Sequence, residues 1–468
     1  MMSYTPNSLL NHEAPVISGA LHFNGQDYEL LKTLRHLQGR RSTLLVREKE
    51  SAELLVLKLF IASGKGQREF EHELSVHSYC CKHQIPVPSI RSEVNSDNGV
   101  SAIAYQYLPD ATEISNMSFD AQPLDKLFEL FATCHLAGCY QDDPHLGNFV
   151  LSGGKLYLLD LASVVISGKP ISLAMGFKNI ASLLVQWPET MQPELQAKLP
   201  SYFTKRALTF NQQASIEIQS HYQKARQHHQ RHYLKKQLRN CTMTEYKKSV
   251  REEKAWRRGE VQTLSYIQLE ACMNDGKPLK LGNSATVIQS FYAGQEVVIK
   301  RYNMKSFWHF LRRCMRPSRA RTSWLNANLL NYVGIATPKP LGFLERRILG
   351  LRHRSYYVCS NLVGKPLLEL SDEQLKAPSL LKQIGELFLV LRQNQIVHGD
   401  MKANNLLVDE DGKLWLIDLD AMRQVKDKKF NLLHEQDKRR FMANWDGRDV
   451  ASQINKVMEM NEISSLSL

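Results

Sequence analysis

Short apolar runs alternate with longer amphipathic stretches along this chain, and they do so twice in the same order. In the first half, Leu54-Leu-Val-Leu-Lys58-Leu-Phe60 is an apolar run with a single lysine, and Glu296-Val-Val-Ile-Lys300-Arg301 repeats the pattern in the second. Runs of this length and composition predict buried strands. A charged segment with helical periodicity follows each strand. It leads to a junction that proline forces into extended chain, Ile85-Pro-Val-Pro88 in one half and Ile335-Ala-Thr-Pro338 in the other. Apolar residues at helical spacing then predict helices over 125–138 and 380–391, each ending near a C-cap type of residue, Gly138 or Asn394. After a polar loop comes a hairpin that turns at Ser152-Gly153-Gly154 or at Asp409-Glu-Asp-Gly412. Its second strand runs into an acid, Asp160 or Asp418.

Lys58 and Lys300 are 242 residues apart, and Asp143 and Asp400 are 257 apart, so the pattern reads as two related domains, 1–240 and 241–468. Between their cores, residues 205–258 are polar and basic, with His228-His-Gln-Arg-His232 and Lys235-Lys236, and read as a solvated helical face or connector.

Composition narrows the function classes. With 43% apolar and 23% charged residues the 468-residue chain can bury cores and is not a disordered polymer. No apolar run approaches the ~20 residues of a membrane span. The opening Met1-Met2-Ser3-Tyr4-Thr5-Pro6 lacks the pattern of a secretory signal. Eight cysteines form no C-x-x-C pair and no Cys/His finger spacing, which argues against structural zinc or a disulfide scaffold and for a reducing, cytoplasmic setting. The net charge of +13 favours an anionic partner. No nucleic-acid motif stands behind that charge.

The candidate chemistry lies in the polar loops. Val397-His398-Gly399-Asp400-Met401-Lys402-Ala403-Asn404-Asn405 places an Asn five residues after an Asp, and Asp418 follows thirteen later. The set resembles the H-x-D-x-x-x-x-N loop and metal-binding aspartate of protein-kinase-like folds. Phosphoryl transfer needs a carboxylate to orient or accept from the attacking hydroxyl, oxygen ligands for Mg²⁺, and positive charge on the phosphates of ATP. Asp400 fits the first role and Asn405 with Asp418 the second. Lys300 would hold the α/β-phosphates, and Lys402 can reach the transferring phosphate. The turn Gly282-Asn283-Ser284 precedes Lys300 at a hairpin's distance and could close backbone N–H groups over phosphates.

The first half repeats the set as Gln141-Asp-Asp143-Pro-His145-Leu-Gly-Asn148 followed by Asp160, with Lys58 as the strand lysine and Leu37-Gln-Gly39-Arg40-Arg41-Ser-Thr43 as the phosphate-covering loop. There Asp143 is the catalytic candidate, and Asn148 and Asp160 are the metal ligands. Two residues depart from the second half: Gln141 replaces His398, and His145 stands where the second half has Lys402. The second half departs elsewhere. Kinases pair the strand lysine with a glutamate on the next helix, for which the first half offers Glu69, Glu71 and Glu73, whereas Arg319–Asn328 contains none. Either Asn328 or another group then positions Lys300, or the second half binds ATP differently.

The runs Pro317-Ser-Arg-Ala-Arg321, Ile335-Ala-Thr-Pro-Lys-Pro340 and His398–Asn405, with Gln141–Phe149 in the first half, resemble the bacterial lipopolysaccharide kinase (InaA/Kdo kinase-like) family. The resemblance implies an α+β fold of two tandem protein-kinase-like domains, each a small β-rich N-lobe and a compact, mostly helical C-lobe. It also implies ATP and Mg²⁺ as cofactors and a heptose or Kdo sugar of the lipopolysaccharide core as acceptor. Only 50 residues follow Asp418, without an A-P-E element, which fits a glycan better than a folded protein. The aromatic and basic run Trp308-His-Phe-Leu-Arg312-Arg313-Cys-Met-Arg316 reads either as packing on the N-lobe or as a peripheral contact with the anionic inner membrane. A lipopolysaccharide-core kinase is thus the leading reading. A Ser/Thr protein kinase and a nucleotide-binding pseudokinase scaffold stand as alternatives.

Overall fold

The structure is a computed structural model that describes residues 3–12, 15–119, 123–303 and 316–466. Its contacts divide the chain into two units, Met1–Arg226 and Gln227–Leu468.

The first unit opens with a seven-stranded sheet in the order Ser3–Tyr4, Gly19–Phe23, Gln26–Leu37, Arg41–Glu48, Leu54–Ile61, Val100–Gln106, Ile90–Asp97. All pairs are antiparallel except the first. Alternation along Leu54–Ile61 buries Leu55, Leu57 and Leu59 against Leu44, Val46 and Ala104 on one face. Lys58 therefore points to the other face, which the helix Gly64–Lys82 covers through Phe70 packed edge-on against Phe60. The helix Leu124–Ala137 ends on Gly138 at φ +86°, where a Cβ would meet the Lys169 carbonyl at 2.6 Å, so only glycine fits that turn. The hairpin Phe149–Ser152/Lys155–Leu158 turns on Gly153-Gly154, both at positive φ.

Inside this unit His135 is buried, with Nδ1 on the Tyr202 hydroxyl at 2.9 Å and Nε2 on Asn179 Oδ1 at 3.0 Å. Burial lowers its pKa from 6.5 to about 4. The unfolded chain thus binds a proton between pH 6.5 and 4 that the folded chain does not. Stability falls as pH drops through that window, by about 3 kcal/mol in all. Denaturant melts of the chain and of His135→Gln are expected to show this slope in the first and to lack it in the second.

The second unit's sheet runs Thr244–Lys248, Glu252–Arg257, Pro340–Ile348, Leu351–Ser360, Gln295–Tyr302, Ala285–Tyr292, Lys277–Leu281, antiparallel throughout. The helix Arg319–Val333 covers one face with the buried Trp324, and Tyr266–Asp275 covers the other with Leu269 and Met273. Below lie the helices Pro378–Gln393, Asp427–Met442 and Ala451–Leu466, whose Ile384, Phe388, Phe441 and Ile454 share one core. The helix Pro378–Gln393 is capped by Asn394, but the left-handed residue is Gln395, at φ +52°.

One expectation is corrected. Residues 205–258 are not a solvated connector throughout: after the helix Gln212–Lys236, the strands Thr244–Lys248 and Glu252–Arg257 belong to the second sheet, with Ala255 and Trp256 fully buried. Trp308–Met315 lies outside the described residues. Among those described, no helix is long and apolar enough to cross a membrane.

Candidate active site

The second unit holds a cavity of about 420 Å³ whose lining includes Gly282, Ser284, Lys300, Asn405 and Asp418. Cross-strand register explains the upper wall. Lys280 pairs with Val287 and Val287 with Lys300, so the three side chains share one face of the sheet. Val298, two residues before Lys300, points the same way. Val287 and Val298 above, with Leu407 and Ile417 below, make an apolar slot beside the charged groups. Asn283, Asp400 and Lys402 are not among the lining residues. Asp400 is joined to the site through its own loop, because the Asn405 side-chain amide donates to the Asp400 carbonyl at 2.7 Å. Lys402 Nζ lies 2.8 Å from Asp400 Oδ1, with both side chains about half exposed.

Lys300 donates to Asp418 and lies 3.1 Å from Asp420. Asp420, almost fully buried, also receives the Arg319 guanidinium at 2.6 Å. The Tyr302 ring packs under both cations, 5.2 Å from Lys300 and 4.8 Å from Arg319, and its hydroxyl meets Ser323 Oγ at 2.8 Å. Burial opposes the charge on Lys300, but Tyr302, Asp420 and Asp418 outweigh it and raise its pKa above the ordinary lysine value. Burial likewise acts against ionised Asp418, and Lys300 more than compensates, so its pKa lies below the ordinary carboxylate value. The Asp418 backbone sits at φ +61°, a conformation a non-glycine residue adopts only under constraint.

Asn328 does not position Lys300. Its amide donates to the Trp324 carbonyl at 2.8 Å, and its oxygen accepts from Arg257 at 3.0 Å. The acid that the helix lacks is replaced by Asp420, two residues after Asp418.

The loop around Asp400 is held from behind. His398 is fully buried and donates through Nε2 to the Ile417 carbonyl at 3.1 Å. Both oxygens of buried Asp437 accept from the Gly399 N–H, at 3.2 and 3.0 Å, and Arg440 donates to the Gly399 carbonyl at 2.7 Å. Gly399 has φ +81°, and a Cβ there would lie 3.1 Å from the Ala421 carbonyl oxygen. Asp420, Asp437 and Arg440 escape sequence reasoning, and Arg319 enters it only as part of the run Pro317–Arg321 with no role of its own. The repeated acid in Asp418-Leu-Asp420 could have flagged Asp420.

The residues present fit a magnesium ion. With its nitrogen held by Asp400, the Asn405 amide keeps its oxygen uncommitted, and the ionised Asp418 carboxylate lines the same cavity: two hard oxygen donors beside an anchored cation.

The first unit has a comparable frame and different contents. Lys58 donates to Glu73, which is fully buried and also accepts from the Tyr105 hydroxyl at 2.9 Å. Glu69 serves Arg40 and Glu71 serves Gln67, so Glu73 alone of the three meets the strand lysine. Gln141 donates to the Asp160 carbonyl at 2.9 Å, much as His398 does to Ile417. The Asn148 amide donates to the Asp143 carbonyl at 3.3 Å. His145, however, is exposed and caps its own loop, accepting from the Gly147 N–H at 3.2 Å. Asp160 has an unstrained backbone (φ −90°) and pairs with Arg35 at 3.6 Å.

Residues 280–455 match the model of the Lipopolysaccharide kinase (Kdo/WaaP) family, so the expected resemblance to that family holds over this stretch of the second unit. A 3-deoxy-D-manno-octulosonic acid kinase of Xylella fastidiosa (strain 9a5c) is 29% identical over 87 residues, 19% of this chain. The match spans about a third of that enzyme's length (34%). A crystal structure of the BubR1 kinase domain is 12% identical and covers 48% of this chain and 92% of that one, at a TM-score of 0.31, a superposition too loose to define the fold.

Proposed function

We propose that the second unit, whose residues 280–455 match the lipopolysaccharide kinase family, is an ATP-dependent phosphotransferase acting on a sugar hydroxyl of the lipopolysaccharide inner core. The observation that carries this reading is that Lys300, Asn405 and Asp418 line one cavity, with the Asp400 loop hydrogen-bonded to it through Asn405. The first unit is read as a second kinase-like domain in tandem, auxiliary to this one. The similarity to a 3-deoxy-D-manno-octulosonic acid kinase supports a sugar acceptor of that class.

In this reading ATP supplies the γ-phosphoryl group, and magnesium, when bound, would supply positive charge to its phosphates. The apolar slot of Val287, Val298, Leu407 and Ile417 takes the base. Lys300 neutralises the α/β-phosphates, Gly282 and Ser284 cover them, and Asn405 with Asp418 would hold the metal. Asp400 orients the acceptor hydroxyl and takes its proton as the oxygen–phosphorus bond forms and ADP leaves. Lys402 keeps positive charge beside the transferred group. Removal of divalent cations by a chelator then stops transfer. A cytoplasmic setting, where ATP is available, follows from the same chemistry.

The test is label transfer from γ-labelled ATP with Mg²⁺, using the full chain and three acceptors: dephosphorylated core oligosaccharide ending in Kdo, the same core ending in heptose, and an unstructured protein. Label on a glycan is expected. Label confined to protein would replace the reading by a Ser/Thr protein kinase, and nucleotide binding with no transfer would replace it by a scaffold.

A further inference from the structure

The strand registers allow the two units to be compared side chain by side chain. In the first unit Arg35 pairs with Thr43 and Thr43 with Lys58, and in the second Lys280 pairs with Val287 and Val287 with Lys300. Arg41 lies two residues before Thr43, as Ala285 lies two before Val287, so both point to the lysine face of their sheets. Where the second unit has a small Ala285 lining its cavity, the first unit therefore carries a guanidinium. Arg41 is 12% exposed; among the described residues its nearest acid is Glu69 at 4.0 Å and its buried Nε has no hydrogen-bond partner. Glu69 is itself engaged by Arg40. Burial, and next the like charge of Arg35, hold the Arg41 pKa below the ordinary arginine value.

The carboxylate that would take a metal is also committed differently. Asp160 meets Arg35 at 3.6 Å, whereas Asp418 meets the strand lysine, and Lys58 has its own acid in Glu73. Three cations, Arg35, Arg41 and Lys58, thus share one face of the sheet. A guanidinium binds phosphate oxygens in pairs and keeps its charge at every working pH. Fixed arginines in this position do electrostatically what a bridging metal does, without recruiting one.

We infer that the lysine face of the first unit's sheet is a metal-independent site for a phosphate- or pyrophosphate-bearing ligand, held by Arg41 and Arg35 where the second unit is built for magnesium. It is a binding site and not a second catalytic centre: His145, two residues after Asp143 where the second unit has Lys402, caps its own loop instead. The ligand's phosphate belongs either to a nucleotide or to a phosphorylated glycan.

The experiment uses the full chain carrying Lys300→Met, which weakens the second unit's hold on phosphate, and measures binding by titration calorimetry in EDTA and again in Mg²⁺. The ligands offered are ATP, inorganic pyrophosphate and a sugar phosphate. One site per chain is expected to fill in EDTA, with affinity unchanged by Mg²⁺ and at least tenfold weaker in Lys300→Met/Arg41→Ala. Lys300→Met/Arg35→Gln should give a smaller loss in the same direction, which keeps the inference testable if the first double variant misfolds. Which ligand binds tightest separates nucleotide from glycan phosphate. Binding that requires Mg²⁺ and is lost in Asp160→Asn but not in Arg41→Ala overturns the inference, as does an absence of binding to all three ligands. Neither result bears on transfer by the second unit, which is read on the unsubstituted chain.

Discussion

Replacing Asp400 by alanine is expected to lower kcat about a thousandfold, the range lost when a positioned acid–base group is removed, while nucleotide affinity and melting temperature stay near those of the unsubstituted chain. The separation follows from where the side chain and the backbone of Asp400 are used. Among the described residues its carboxylate has one ion-pair partner, Lys402 at 2.8 Å, and both are about half exposed, so little stability depends on it. Its carbonyl carries the structural bond to Asn405, and that bond survives truncation of the side chain. The loop is held independently by His398 on Ile417 and by Asp437 and Arg440 on Gly399. The apolar slot and Lys300 do not touch the substituted group. Steady-state kinetics beside a thermal melt check the result. A variant that unfolds while keeping full activity per folded molecule would make Asp400 a structural residue.

Much of this site can be read along the chain, because its chemistry sits in local patterns. The lysine strands, the Gly138 and Gly153-Gly154 turns, and the five-residue spacing from Asp to Asn are each set by the conformational demands of a few neighbouring residues. What cannot be read are the partnerships between distant residues. Asp420 looks like part of a turn until the helix Arg319–Val333 is seen to bring it Arg319 and no acid. Asp437 and Arg440 lie on an outwardly charged helix, and nothing nearby in sequence says that they face Gly399. The strands of residues 244–257 are hidden for another reason. Their burial is satisfied by charge pairing as well as by apolar side chains: Glu253, 4% exposed, is bound by Arg321 at 3.2 Å and by Arg347, and the Tyr246 hydroxyl reaches it at 3.2 Å. A strand that exchanges apolar alternation for ion pairs reads as a polar connector.

Asp420 carries the other large expected effect. Lys300 is shared between Asp418 and Asp420. A metal held by Asp418 would draw that carboxylate's charge away from the lysine, leaving Asp420 as the acid that keeps Lys300 in place, with Arg319 fixing Asp420 from the other side at 2.6 Å. Asp420 is then a positioning residue that acts through Lys300, the part taken in the first unit by Glu73 on its helix. Asp420→Ala leaves two cations, Lys300 and Arg319, close together over the Tyr302 ring with Asp418 alone to balance them. Loss of one charge-assisted bond of this kind costs about 2–3 kcal/mol, on the order of a hundredfold in kcat/KM for ATP. Most of the loss should appear in KM for ATP, because Lys300 drifts from the phosphates while Asp400 and its loop are untouched. Asp420→Asn keeps the hydrogen bonds without the charge and should recover part of it. A pure stability role predicts a lowered melting temperature with KM for ATP unchanged, and a role as metal ligand predicts a raised Mg²⁺ requirement at constant KM for ATP. Measuring all three quantities on the two variants separates these outcomes.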